Sequence, residues 1–197
     1  MSKIILHLCA DMGTDSQPYR DAGYDVRCIG SDVGVENYHP PEGVYGIIAN
    51  PVCTMLSWCR THAKTPRDLE RGMFLVRECL RVIWEAQYKL ATPNDKLTTL
   101  KFWMIENPAK GFLRQFLGRP AFEFQPYEFG DTYKKLTATW GNFNLPVKTH
   151  TEIPDTPKFD LMKSKDIHPE AFGKLTRKER RSMCSPGFAK AFFEANL

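Results

Sequence analysis

Two segments of the chain end alike: IIANP at Ile47–Pro51 and MIENP at Met104–Pro108. Each is an apolar run stopped by Asn-Pro, and each stop carries a chemically useful residue. Cys53 lies just past the first, and Glu106 sits at the second. A thiol and a carboxylate facing one pocket would supply a nucleophile and a group able to hold a proton beside it. The ordinary alternative for Cys53 is an inert packed thiol, since cysteine is among the most buried residue types. Glu106 directly follows the apolar run FWMI. Burying a carboxylate unpaired is costly, so a partner or a pocket must stand near it.

The elements that would position this pair alternate between strand and helix. Ile4–Leu8 reads as a first strand, followed by a loop, Cys9 to Thr14, containing Gly13. Asp15 or Ser16 is placed to cap a helix with Pro18 in its first turn, ending near Gly23. Tyr24–Ile29 and Val44–Ala49 read as the second and third strands. Thr65, Pro66 and Asp68 form a T-x-x-D capping pattern before a helix whose apolar stripe is Leu69, Met73, Val76, Leu80 and Ile83. After the polar stretch Thr92–Thr99, Phe102–Ile105 forms a strand that ends in Glu106, Asn107 and Pro108.

This order predicts an α/β domain with a mainly parallel sheet. Ligands bind outside the carboxyl ends of such strands, the edge to which both Asn-Pro stops deliver their residues. Only one helix separates the two strands, so they are expected to be neighbours. Residues 121–146 are aromatic and turn-rich, fitting antiparallel edge strands or long loops. The stretch Lys148–Lys165 is polar and predicted to be irregular. Two short helices close the chain, one opened by the capping box Thr176–Glu179 and one by Ser185-Pro186.

With 197 residues, 42% apolar and 25% charged, the chain reads as one soluble domain spanning 1–197. No apolar run approaches the roughly 20 residues a membrane span needs, and Ile4–Leu8 is too short for a signal-peptide core. The six cysteines form no CxxC pair and no zinc-like spacing with the five histidines. They read as reduced thiols of a cytoplasmic protein with no metal. The formal charge of +4 permits a polyanionic partner without demanding one.

In these residues the chain resembles DNA cytosine-5 methyltransferases, most closely small phage and prophage members. LHLCADMG occupies the place of the family's D-L-F-x-G-x-G motif. NPVCTMLS is similar to the P-C motif, and IENP to the E-N-V motif. YKKLTATWGNF and SPGFAKAFFEAN are similar to a segment that follows the catalytic core and to a final helix beside the cofactor. The resemblance implies a Rossmann-like, class I methyltransferase-like sheet and S-adenosylmethionine as cofactor. It implies cytosine-containing DNA as substrate, in a bacterial or phage-infected cell. Cys53 would be the nucleophile and Glu106 the activating carboxyl. Cys9, Ala10, Asp11, Gly13, Asp32, Pro51 and Phe188 would contact the cofactor. Ser57, Asn107, Lys134 and Lys135 would contact the substrate.

The sequence also departs from that pattern. His7 stands in place of the first-strand aspartate, and Asp11 in place of the first motif glycine. Only about a dozen residues separate the second strand from Val44, too few for the strand–helix unit that lines an adenosine pocket. The fold is therefore expected to be reduced on the cofactor side. No stretch is long enough for a separate target-recognition domain. From Lys148 to Leu197 there are ten Lys or Arg and seven Asp or Glu, a net charge of +3 in a segment expected to pack back on the core. Lys174, Arg177, Lys178, Arg180 and Arg181 cluster there, either as a solvated helix face or as phosphate contacts. Two further readings stay open: the same Cys–Glu pair acting on a free pyrimidine nucleotide, and a non-catalytic nucleic-acid-binding protein that keeps the fold.

Overall fold

A computed structural model describes residues 2–10, 12–60, 63–88 and 100–197. Asp11 and the stretch Thr92–Thr99 lie outside the described residues. The strands are β1 (Ile4–Leu8), β2 (Asp25–Ile29), β3 (Val44–Ala49), β4 (Phe102–Pro108), β5 (Phe122–Phe124) and β6 (Thr137–Asn142). The α-helices are α1 (Gln17–Asp21), α2 (Leu69–Tyr88), α3 (Leu113–Leu117), α4 (Arg177–Ser182) and α5 (Pro186–Ala195). The strands form one mixed sheet in the order β2-β1-β3-β4-β6-β5. β1 pairs in parallel with β2 and β3, and β3 with β4, whereas β6 is antiparallel to both β4 and β5. The two Asn-Pro strands are thus parallel neighbours, with Ala49 opposite Ile105.

The central strands β1 and β3 are buried on both faces and read as near-continuous apolar runs, whereas the edge strand β2 (DVRCI) is largely exposed or half-buried. Successive side chains still alternate sides. Leu6, Leu8, Ile47, Ala49 and Ile105 pack in one cluster with Val76, Cys79, Val82 and Ile83 of α2. Ile5, Ile48, Phe102 and Met104 pack in the other, with Tyr19 of α1 and Phe188 and Phe192 of α5. Gly46 is required in β3 because a Cβ there would collide with the Phe102 ring on the neighbouring strand. This alternation puts His7, Asn50 and Glu106 on the α1/α5 side, at the carboxyl edge.

Several expectations shift. The long helix starts at Leu69, and Asp68 rather than Thr65 caps it, its Oδ1 accepting from the Arg71 N–H at 2.9 Å. Thr65 instead receives the Arg60 guanidinium on its hydroxyl (2.6 Å) and its carbonyl (2.8 Å). The buried stripe of α2 centres on Gly72, Val76, Cys79 and Ile83, leaving Leu69, Met73 and Leu80 at its margins. Between β2 and β3 there is a single 3-10 turn, Val35–Asn37, consistent with the short spacing. Thr176 and Glu179 form the expected reciprocal capping box, and the Ser185 hydroxyl accepts from the Phe188 N–H.

Candidate active site at the carboxyl edge of the sheet

From β1 the chain crosses to β2 on one side, and from β3 to β4 on the other. Strand order reverses between β1 and β3, the position at which open α/β sheets leave a crevice. A polar network fills this point. His7 Nδ1 lies 2.8 Å from Ser16 Oγ, which donates to the Gly13 carbonyl, and His7 Nε2 lies 2.6 Å from Asn50 Oδ1. Asn50 Nδ2 donates to Asp15 and to Glu106, each at 3.4 Å. With the amide nitrogen turned to two carboxylates, its oxygen must accept, so His7 Nε2 carries a hydrogen. Asp15 completes the group at 3.8 Å from His7 Nε2, and both are almost fully buried.

Cys53 lies in the loop after β3, just past Asn50-Pro51. Its carbonyl accepts from the N–H groups of Leu56 (2.9 Å) and Ser57 (2.8 Å), curling residues 53–57 into a turn. Arg67 braces that turn by donating to the carbonyls of Met55 and Ser57 while its guanidinium stacks on Phe112. Cys53 and Glu106 are both half-buried. Burial, then the Glu106 charge, push the Cys53 thiol above its ordinary range, opposed by Lys135 and Arg181. Burial also raises the Glu106 carboxyl, as does Asp15, while Lys135 and the Asn50 amide pull it down. Lys135 is held over the edge by the carbonyls of Arg181 (3.4 Å) and Met183 (3.5 Å). The site thus brings together a thiol, a carboxyl that retains its proton more readily than usual, and one cation acting on both.

The other candidates separate into groups. Asn107 is buried and donates to the Pro51 carbonyl at 2.9 Å, clamping the β3 loop to β4 rather than facing a ligand. Ser57 is almost buried, its hydroxyl accepting from the Cys59 N–H. Phe188, 1% exposed, stacks on Phe124 with ring centroids 3.8 Å apart, so it belongs to the core and offers no surface to a cofactor. Truncating it to alanine would cost about 3–5 kcal/mol. Ala10 is buried and its N–H donates to Ile29. Cys9 points to the α2 side, 3.8 Å from the Cys79 sulfur. Gly13, at φ +63°, turns the loop beside Cys28, and Asp32 is exposed after β2. Lys134 pairs with Lys158 in an isolated bridge. The basic cluster splits: Lys174, Arg177 and Lys178 are exposed, whereas Arg180 is 2% exposed, donating to Ser164 and stacked on Phe172.

Sequence reasoning missed Asp15, Asn50 and Cys184 as members of this edge. The Cys184 N–H donates to Thr14 Oγ1 at 2.9 Å, and burial, then Asp15, hold its thiol well above its ordinary range. Its signal was its place directly before the Ser-Pro helix start. Asn50 was legible only as a strand stop. Two grooves on the described surface, of about 800 Å³ beside Trp84 and about 410 Å³ beside His150, do not include Cys53 or Glu106. Among the described residues no group of three or more His, Cys, Asp or Glu is placed to hold a metal ion, and no helix is long and apolar enough to cross a membrane. Comparison with models of known protein families and with curated protein sequences returns no match.

Proposed function

We propose that this chain transfers a methyl group from S-adenosylmethionine to carbon 5 of cytosine in DNA through a covalent adduct at Cys53. The observation that carries the reading is the convergence of Cys53, Glu106 and Lys135 at the carboxyl edge of two adjacent parallel strands. In this reading the sheet is a class I methyltransferase sheet with a shortened cofactor side.

Carbon 5 of cytosine is a weak nucleophile. Attack of the Cys53 sulfur on carbon 6 forms an S–C bond and turns the ring into an enamine nucleophilic at carbon 5. Glu106 holds a proton against ring nitrogen 3 and accepts from the exocyclic amine, a role suited to a carboxyl whose proton is retained by burial. Burial and the Glu106 charge hold the Cys53 thiol above its ordinary range, and Lys135 and Arg181 oppose them in favour of the thiolate. S-adenosylmethionine, when bound, supplies the electrophilic methyl group. Loss of the carbon 5 proton then expels Cys53 from carbon 6. Two residues fit such a ligand: Gly13, whose left-handed backbone bends the loop after β1, and Asp32, an exposed carboxylate after β2 suited to ribose hydroxyls. In a duplex the target base must first leave the stack. Lys134, Lys174, Arg177 and Lys178 are the candidates for phosphate contacts, each expected to contribute about 0.9 to the log–log salt slope.

The test is DNA carrying 5-fluorocytosine, in which the final proton loss is blocked. With S-adenosylmethionine present, a stable adduct is expected on Cys53, located by mass spectrometry of the trapped peptide. Cys53→Ser should abolish it and Cys59→Ser should leave it intact. An adduct on Cys59 overturns the nucleophile assignment. An adduct with a fluorinated nucleotide but not with DNA shifts the substrate to free pyrimidine nucleotides. One observation favours a second reading, a nucleic-acid-binding protein without catalysis: His7, Asp15, Ser16 and Asn50 fill the end of β1. Calorimetric titration with S-adenosylmethionine separates the two, and silence at millimolar ligand with folded protein selects the second.

A further inference from the structure

We infer that Cys9 and Cys79 are a redox modification site, converted by peroxide into a reversible disulfide that ties the end of β1 to helix α2. The two sulfurs lie 3.8 Å apart although 70 residues separate them in sequence. A disulfide needs about 2 Å between sulfurs, so closure requires an approach of under about 2 Å. The remaining thiols have other surroundings. Cys28 accepts from Arg20, Cys184 donates to the Ser185 carbonyl, Cys53 faces Glu106, and Cys59 is exposed in the loop after β3.

The pair is unequal, which sets the order of events. Cys9 is half-buried in the turn directly after β1 and holds a left-handed backbone, φ +56°, unusual for a residue with a side chain. Cys79 is fully buried in the core cluster of α2. Its hydrogen bond with Cys9, then burial, hold its thiol well above the ordinary range. Peroxide therefore meets Cys9 first. The Cys9 thiolate attacks one peroxide oxygen and breaks the O–O bond, keeping that oxygen as sulfenic acid while the other leaves as hydroxide and takes one proton to become water. The Cys79 sulfur then displaces the sulfenic oxygen, forming S–S and releasing a second water. In sum, two thiols lose two protons and two electrons, and one hydrogen peroxide takes them up to become two waters. Because the resolving thiol is already in contact, closure outcompetes further oxidation of Cys9. The bond would hold the first residue of the Cys9–Gly13 loop against α2, and it stands independently of methyl transfer.

The test uses the full chain, reduced and then treated with hydrogen peroxide, blocked with iodoacetamide, unfolded and digested. The expected product is one intramolecular Cys9–Cys79 peptide, lighter by two hydrogens and reopened by dithiothreitol. Cys79→Ala should replace the cross-link by a sulfenic acid on Cys9 that dimedone captures. If that core variant does not fold, Cys9→Ser, at a half-buried position outside the core, decides alone: peroxide should then leave Cys79 reduced. Recovery of both cysteines alkylated, after peroxide has oxidised exposed Cys28 and Cys59, overturns the inference. So does a disulfide joining any other pair.

Discussion

The carboxyl edge of the sheet has two halves built on opposite terms. At β1, His7 engages Ser16 and Asn50, and the Asn50 amide serves two carboxylates. At β4 and the β3 loop, Cys53 and Glu106 have charges nearby but few direct partners. The Tyr133 hydroxyl, buried and without a hydrogen-bond partner among the described residues, lies within reach of the charges of Cys184, Asp131, Asp15 and Glu106. A saturated network rigidifies, whereas a buried group left short of partners is costly and persists where it serves chemistry. Asn50 is the hinge between the halves, since the same amide reaches His7 and Glu106.

Removing that amide should have the largest effect on the molecule. Asn50→Leu should leave the His7 N–H unpaired and two carboxylates without their donor, costing about 2–4 kcal/mol in urea unfolding. A cost near zero would mean that the β1 half is not the rigid one.

A smaller effect is expected at Glu106, with opposite sign. Its folded pKa is raised by burial, so the folded protein binds the proton more tightly than the unfolded chain. That contribution is full below the unfolded carboxyl range, near pH 4, and is lost as pH rises through the folded value. Glu106→Gln, which cannot ionise, should be more stable than the parent at neutral pH by about 1 kcal/mol, the gain vanishing below about pH 4. Melting curves at both pH values check this, and a destabilised variant at neutral pH would place Glu106 among the saturated groups.

The smallest effect concerns Lys135. It lowers both the Cys53 thiol and the Glu106 carboxyl against burial, so Lys135→Met should move both to higher pH. Peptide-resolved alkylation of Cys53 should slow by about threefold near pH 8, with Cys59 unchanged as the internal control. Equal rates would remove Lys135 from the site and leave Arg181 as the cation acting on Cys53.

What the amino-acid sequence determined by itself is local. The strand spans at Ile4–Leu8 and Val44–Ala49, the stop at Asn50-Pro51 and the capping box at Thr176 depend on residues a few positions apart, whereas β4 runs on through Asn107 to Pro108 because β6 pairs with it there. Even the adjacency of β3 and β4 followed from one intervening helix, because a short crossover favours neighbouring strands. The tertiary structure alone decided which side chains meet. Strand register aligned His7, Asn50 and Glu106 on one face, packing sealed Phe188 behind Phe124, and the return of the C-terminal segment held Lys135 over the edge. Each of these meetings joins segments tens of residues apart, where no local periodicity carries a signal. It is set by how two sheet faces and two helix layers fill space together.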